Sequence, residues 1–278
     1  MTEARHHVHE IIEQTGEAPR LAVIVVGDDH ASQVYVRNKI RRCESVGIEY
    51  KTYHFSEQIL TGVLKDRIKQ LNNDDNVHGI LVQLPLPSHI DVDEVIECIN
   101  PQKDVDGLHP VNQARLLNNV EPRLDPCTPA GVMRILEAGF PDGLSGLSVA
   151  VLGRSRLFGQ PMAQMLVNAD ATVSICHSKT GLVSRDCIMM TSDIVISAIG
   201  KPEYFNHDHF LDGTTIIDVG INRDQDGLIC GDVDTHSVLD NLPLARITSV
   251  PGGVGVITTA MLMLNVIKAY RIQKGCER

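Results

Sequence analysis

Ser32, Tyr35 and Lys39 stand at i, i+3 and i+7, so a helix carrying them presents a hydroxyl, a phenol and an amine on one face. Val36, Ile40 and Cys43 fall on a separate apolar stripe of the same helix. An amine held uncharged can take up and return a proton, a form that burial or suitable neighbours favour. Surface Tyr–Lys pairs are common, so spacing alone leaves an ordinary solvated face as the alternative. Gln83 stands next to last in the run 79–84, which Pro85 stops, at the carboxyl end of a strand, where open α/β sheets collect ligands. Asp104 and Asp106 sit in the turn Asp104-Val105-Asp106-Gly107-Leu108-His109-Pro110; acidic Gly/Pro turns are most often turns and nothing more.

A second constellation lies in the other half of the chain. The run SVAVL leads into Gly153-Arg154-Ser155-Arg156-Leu157-Phe158-Gly159-Gln160-Pro161, and a helical pattern follows. This is not the G-x-G-x-x-G fingerprint, but the physics is similar. Gly153 permits a tight turn after the strand, Gly159 lets backbone approach a pyrophosphate, and the helix start is expected to offer free N–H groups to that anion. An NAD site normally ends its second strand in a carboxylate that holds the ribose hydroxyls. Here ATVSIC ends in His177-Ser178-Lys179. A carboxylate would repel a 2′-phosphate, whereas Arg154, His177 and Ser178 could bind one, which favours NADP over NAD. By position alone His177 and Ser178 are equally ordinary loop residues, and Arg154 also suits a free phosphate beside NAD.

Short β-branched runs alternating with helical patterns carry these residues, the signature of an α/β fold with parallel strands. Strands are expected at 21–26, 49–55 and 79–84 in the first half, with helices near 32–46 and 63–71. The DPCTP segment marks a boundary, with Thr128 expected to cap a helix that has Pro129 at its first position. Further strands are expected at 148–152, 171–176, 193–197, 214–219 and 246–250, spaced as in a doubly wound sheet, and a last apolar helix near 256–269.

The chain has 278 residues, enough for two cores. A net charge of -10 argues against a general nucleic-acid binder. Seven scattered cysteines without a C-x-x-C pair argue for reduced thiols and against a disulfide frame or zinc site. No run approaches the roughly 20 apolar residues of a membrane span, and MTEARHHVHEIIEQ lacks the apolar core of a secretory signal, so a cytoplasmic location is expected. His6, His7 and His9 read as a polar end rather than as metal ligands.

Taken in order, these stretches closely resemble the bifunctional methylenetetrahydrofolate dehydrogenase/methenyltetrahydrofolate cyclohydrolase family. The matching motifs are YVRNK, GILVQLPLP, KDVDG, PCTPAG, GRSRLFGQP, DVGINR, GDVD and PGGVG, spread from about residue 18 to 270. The resemblance implies an N-terminal α/β folate-binding catalytic domain (1–125 with 256–278), to which the C-terminal helix returns, and a Rossmann-like NADP-binding domain (126–255). It implies Lys39 as the central catalytic group and Tyr35 against the folate ring system. Gln83 would bond the lysine and Asp106 would grip the pterin. Ser32, Leu84, Pro85, Gly252 and Gly253 complete the folate side; Gly153, Arg154, Ser155, Gly159, Pro161, His177, Ser178 and Ile221 complete the cofactor side. It further implies tetrahydrofolate derivatives as ligands and a homodimer formed through the nucleotide domain.

The implied chemistry is oxidation of 5,10-methylenetetrahydrofolate followed by hydrolysis to 10-formyltetrahydrofolate. A monofunctional dehydrogenase of this kind would lack the lysine. A catalytically silent folate- or nucleotide-binding paralogue is the rival from another class. The chain departs from the family pattern in three ways: a D-G-K-type opening strand and longer first helix are missing, Val256-Ile257 replaces Pro-Met, and Ala114 replaces a glycine. A looser start to the last helix is the expected result of losing that proline.

Overall fold

RLAVIVV has no polar interruption, and it forms β1 (Arg20–Val26) at the centre of a three-stranded parallel sheet. Strands β2 (Glu49–Phe55) and β3 (Gly79–Val82) flank it. A strand apolar on both faces must be covered on both. Leu21, Val23 and Val25 face a core filled by α1 (Thr2–Thr15), α2 (His30–Val46) and the C-terminal helix (Val254–Gln273). Ala22, Ile24 and Val26 face a second core with α3 (Thr61–Asn72) and α4 (Val92–Glu97). The structure, a computed structural model, describes residues 1–28 and 30–276, without the side chains of residues 30–35. It divides into two units, Met1–Cys127 with Thr259–Arg278, and Thr128–Thr258.

In the first unit, buried Lys103 closes the end of α3. Its Nζ donates to the carbonyls of Leu71, Asn72 and Asp74 at 3.1, 2.8 and 2.8 Å, so all three ammonium hydrogens meet carbonyls at or just past the helix end. Burial holds this lysine below its ordinary value. The next residue, Asp104, is also buried, and loss of water pushes its carboxyl up. It accepts from His109 N at 2.8 Å and Asn112 Nδ2 at 3.0 Å, which ties the turn to the start of α5 (Pro110–Leu117).

His78, 3% exposed, precedes β3. Its Nδ1 accepts from Arg20 N at 3.0 Å, and its ring lies 4.6 Å from that of Tyr270, leaving Nε2 with no polar partner. Burial pulls it down to about 4, with Lys274 and Lys103 acting in the same direction. Between that value and the free imidazole's 6.5 the unfolded chain binds the extra proton, so this group's stabilisation is present above pH 6.5 and is lost as pH falls through 4. From pH 7 to pH 5 the first unit therefore loses about 2 kcal/mol through His78. Denaturation at both pH values should show that difference shrinking in His78→Gln; an unchanged difference contradicts the assignment.

The second unit is a five-stranded all-parallel sheet. Its strands are β4 (Ser148–Leu152), β5 (Thr172–Cys176), β6 (Ile194–Ser197), β7 (Thr215–Asp218) and β10 (Arg246–Ile247), ordered β10-β7-β6-β4-β5. A two-stranded hairpin of β8 (Asn222–Arg223) and β9 (Ile229–Cys230) stands apart. Val149 and Val151 point to one core, Ala150 and Leu152 to the other. The helices are α6 (Cys127–Gly139), α7 (Gly159–Asn168), α8 (Leu182–Met190) and α9 (Thr235–Asn241). The two-domain α/β class expected from the sequence is the one found.

Two fully buried carboxylates knit the loops after β7. Asp218 accepts from the backbone N–H groups of Gly220, Asp232 and Val233, and Asp232 from Ser197, Ile199, Lys201 and Asn222. Burial pushes Asp218 up to about 6, opposed by its backbone donors.

Several boundaries differ from expectation. α6 starts at Cys127, so Thr128 is inside the first turn rather than capping it; Pro129 stays in that turn, where a missing N–H costs nothing. β10 ends at Ile247, three residues before the cis peptide at Val250–Pro251. The last helix runs longer than expected, from Val254 to Gln273, so residue 256 sits in its first turn. By length and hydropathy this helix also passes as a membrane span, which amends the expectation that no segment approaches one. Its Leu262, Met263, Val266, Ile267 and Tyr270 are buried in the first unit's core.

Candidate active site

Lys39 is half-buried on α2, and its Nζ donates to Gln83 Oε1 at 3.0 Å. The contact joins residues 44 apart in sequence, brought together because α2 covers β1 and Gln83 follows β3 beside it. Gln83 is 9% exposed, and its Nε2 donates to Leu84 O at 2.5 Å. That second bond decides which end of the amide faces the lysine. Leu84 is half-buried and Pro85, after a cis peptide, is exposed.

Asp106 is half-buried in a turn closed from behind. Gly107 has φ +71°, and a Cβ there would overlap the backbone of Asp125. Beneath the turn lies the enclosed Cys127, whose Sγ is 3.3 Å from Val105 O. Burial pushes this thiol far up, and the Asp106 carboxylate adds to that. Lys39 and Gln83 are thus joined by their own hydrogen bond, and Cys127 packs against the turn that carries Asp106. The side chains of Ser32 and Tyr35 lie outside the described residues.

In the second unit, β4 ends at Leu152 and the chain turns at Gly153, φ +125°, where a Cβ would lie 2.7 Å from Ala198 O. Gly159 then opens α7 so close to this turn that a Cβ would overlap Gly153 O. One expectation needs correcting here. The first N–H groups of α7 are not free: Gly159 N bonds Ser155 Oγ at 3.4 Å, Gln160 N bonds Ser155 O at 3.0 Å, and Pro161 has none. Ser155 folds back and fills the helix start, so an anion there meets the helix dipole without the amides of Gly159 and Gln160.

The loop opens on a pocket of about 390 Å³ at the carboxyl ends of β4, β5 and β6. Gly153, Arg154 and Ser155 form one wall; His177 and Ser178 form another, with His177 Nδ1 accepting from Lys179 N at 3.1 Å. No carboxylate lines it among the described residues. Pro161 is buried in the first turn of α7, and Ile221 is 54% exposed before β8, outside this pocket. Gly252, φ +108°, and Gly253, where a Cβ would lie 2.5 Å from Ser249 O, precede the last helix.

Cations that sequence reading missed join the same pocket. Arg185 on α8 is held by Asp186 at 2.6 Å and by Tyr204 Oη at 3.3 Å, and Lys201 Nζ lies 4.5 Å from the Tyr204 ring centre. The only signal for Lys201 was a basic residue directly after the β6 turn.

Comparison with known proteins bears on this arrangement. The tetrahydrofolate dehydrogenase/cyclohydrolase catalytic-domain model matches residues 1–106, and the NAD(P)-binding-domain model of the same family matches residues 126–274. The chain belongs to the tetrahydrofolate dehydrogenase/cyclohydrolase family. Within that family, the bifunctional protein FolD of Methanoculleus marisnigri is 46% identical over 269 residues, 95% of this chain and 91% of the relative. The bifunctional FolD methylenetetrahydrofolate dehydrogenase/cyclohydrolase structure from Campylobacter jejuni is 43% identical with a TM-score of 0.92, covering 98% of this chain and 94% of that one. The FolD of Trypanosoma brucei, solved with NADP cofactor and inhibitor, is 34% identical with a TM-score of 0.90, covering 98% and 93%.

Proposed function

We propose that this chain oxidises 5,10-methylenetetrahydrofolate with NADP and hydrolyses the methenyl product to 10-formyltetrahydrofolate. The observation that carries the reading is the Lys39–Gln83 hydrogen bond, with the amide locked in orientation by Leu84 O. A neutral amide directs the amine without forming an ion pair with it. Lys39 Nζ then takes a proton from water as the water oxygen bonds to the cationic methenyl carbon. The carbon's bond to N5 breaks, the hydroxyl proton passes to N5, and one proton is released overall. Asp106 would accept hydrogen bonds from the pterin edge and hold the ring in register with Lys39, with Tyr35 against the ring system.

The second unit fits NADP. Its pocket lacks a carboxylate to repel a 2′-phosphate, and Arg154, His177 and Ser178 line it together. These three would hold that phosphate, and the Gly153–Ser155 turn would carry the pyrophosphate. When bound, NADP supplies the acceptor for the substrate's hydride. Gly252 and Gly253 would let backbone come close to the ligands. A homodimer through the nucleotide-binding unit is read from the family resemblance alone, and a cytoplasmic location from the sequence, with its scattered cysteines and its start without a secretory signal's apolar core.

A spectrophotometric assay with 5,10-methylenetetrahydrofolate, run in parallel with NADP and NAD, tests the reading. Expected is faster reduction of NADP, with no build-up of methenyl absorbance. Equal or faster use of NAD overturns the cofactor choice. No reduction of either, with dinucleotide still bound, returns the catalytically silent alternative.

A further inference from the structure

The last helix is apolar through Leu262-Met263-Leu264 and Val266-Ile267, yet between them stands Asn265, only 5% exposed. A buried amide is costly unless its hydrogen bonds are made, so where these go is informative. Nδ2 donates to Val105 O at 2.9 Å and to Asp125 O at 2.8 Å, and it lies 3.5 Å from Cys127 Sγ. Val105 directly precedes Asp106. Asp125 is the residue whose backbone Gly107 touches so closely that a Cβ would not fit. One side chain therefore fastens both strands of backbone around the aspartate turn. Val105 is fully buried, and its carbonyl also meets the Cys127 thiol. Lys103 and Asp104 anchor the turn on its other side.

We propose that Asn265 is a positioning residue for folate binding: by clamping the carbonyls of Val105 and Asp125 it fixes the direction in which Asp106 points. This rests on the reading of Asp106 as a folate-binding group. Asn265 touches no substrate in this scheme and acts only through the turn.

Asn265→Leu keeps the volume and the apolar packing but removes both donors. The KM for 5,10-methylenetetrahydrofolate should rise about tenfold or more, since small misplacements at a site carry large kinetic effects. The KM for NADP, bound by the other unit, should stay within about twofold. Thermal midpoint and circular dichroism check the fold; should Asn265→Leu not fold, Asn265→Ser, which keeps one donor, carries the same comparison. A double-mutant cycle with Asp106→Asn decides the route: if Asn265 works through Asp106, adding Asn265→Leu to Asp106→Asn changes the folate KM by less than about twofold. A strong Asp106→Asn effect with a silent or fully additive Asn265→Leu overturns the proposal alone. Equal loss in both KM values overturns it as well, because that is general loosening. A silent Asp106→Asn removes the aspartate reading and the proposal together.

Discussion

Lys39→Met is expected to leave a folded protein that still reduces NADP but hydrolyses the methenyl compound about 10²- to 10⁴-fold more slowly, the range for loss of a positioned acid–base group. Methionine copies the length and apolar stem of lysine, and Val36 and Cys43 on the same helix stay in their core. What disappears is the nitrogen 3.0 Å from Gln83 Oε1. Hydride transfer does not call on that nitrogen as a base, so methenyl absorbance should build up while reduced cofactor still forms. Following the two signals separately makes the measurement. Full cyclohydrolase activity in Lys39→Met would remove Lys39 from the mechanism.

Gly231→Ala should damage the second unit more than its single methyl suggests. The new Cβ would fall within the Asp218 carboxylate, which is fully buried and engaged with three backbone N–H groups. Moving that carboxylate leaves those donors without partners, at about 1–3 kcal/mol each. A loss above about 4 kcal/mol is expected, seen as an early unfolding transition accompanied by loss of NADP binding. Gly181→Ala is the control, since it has no strained φ and its nearest neighbour is Ser184 Oγ at 3.9 Å. If the two variants melt within a few degrees of each other, the carboxylate network contributes far less than its geometry implies.

How far the sequence could be read varies with the physics at each place. Apolar runs such as RLAVIVV and SVAVL were legible because a strand buried on both faces has no polar gap, and that fixed the two sheets. Lys39 and Gln83 were each visible, but their contact depends on how strands 1 and 3 pair and could only be inferred from the family pattern. The start of α7 misled, because Gly-x-Pro reads as an open helix end while Ser155, four residues earlier, turns back and occupies its amides. Arg185 and Lys201 belong to no motif and reach the pocket only through the fold. Asn265 left one faint mark, a polar amide between apolar neighbours, without any sign of what it holds. The earlier start of the last helix was missed because Gly255, inside its first turn, reads as part of the preceding loop.

The sealing of Lys103 gives its unit two amines of opposite chemical character. Lys103 has all three hydrogens committed to carbonyls inside the protein, whereas Lys39 is half-open and leans on a single amide. Towards an acylating reagent the first is inert until the unit unfolds, and the second stands within reach. Covalent labelling thus separates them in time: early modification counts Lys39 and exposed surface lysines, and modification of Lys103 reports that the fold around the aspartate turn has opened.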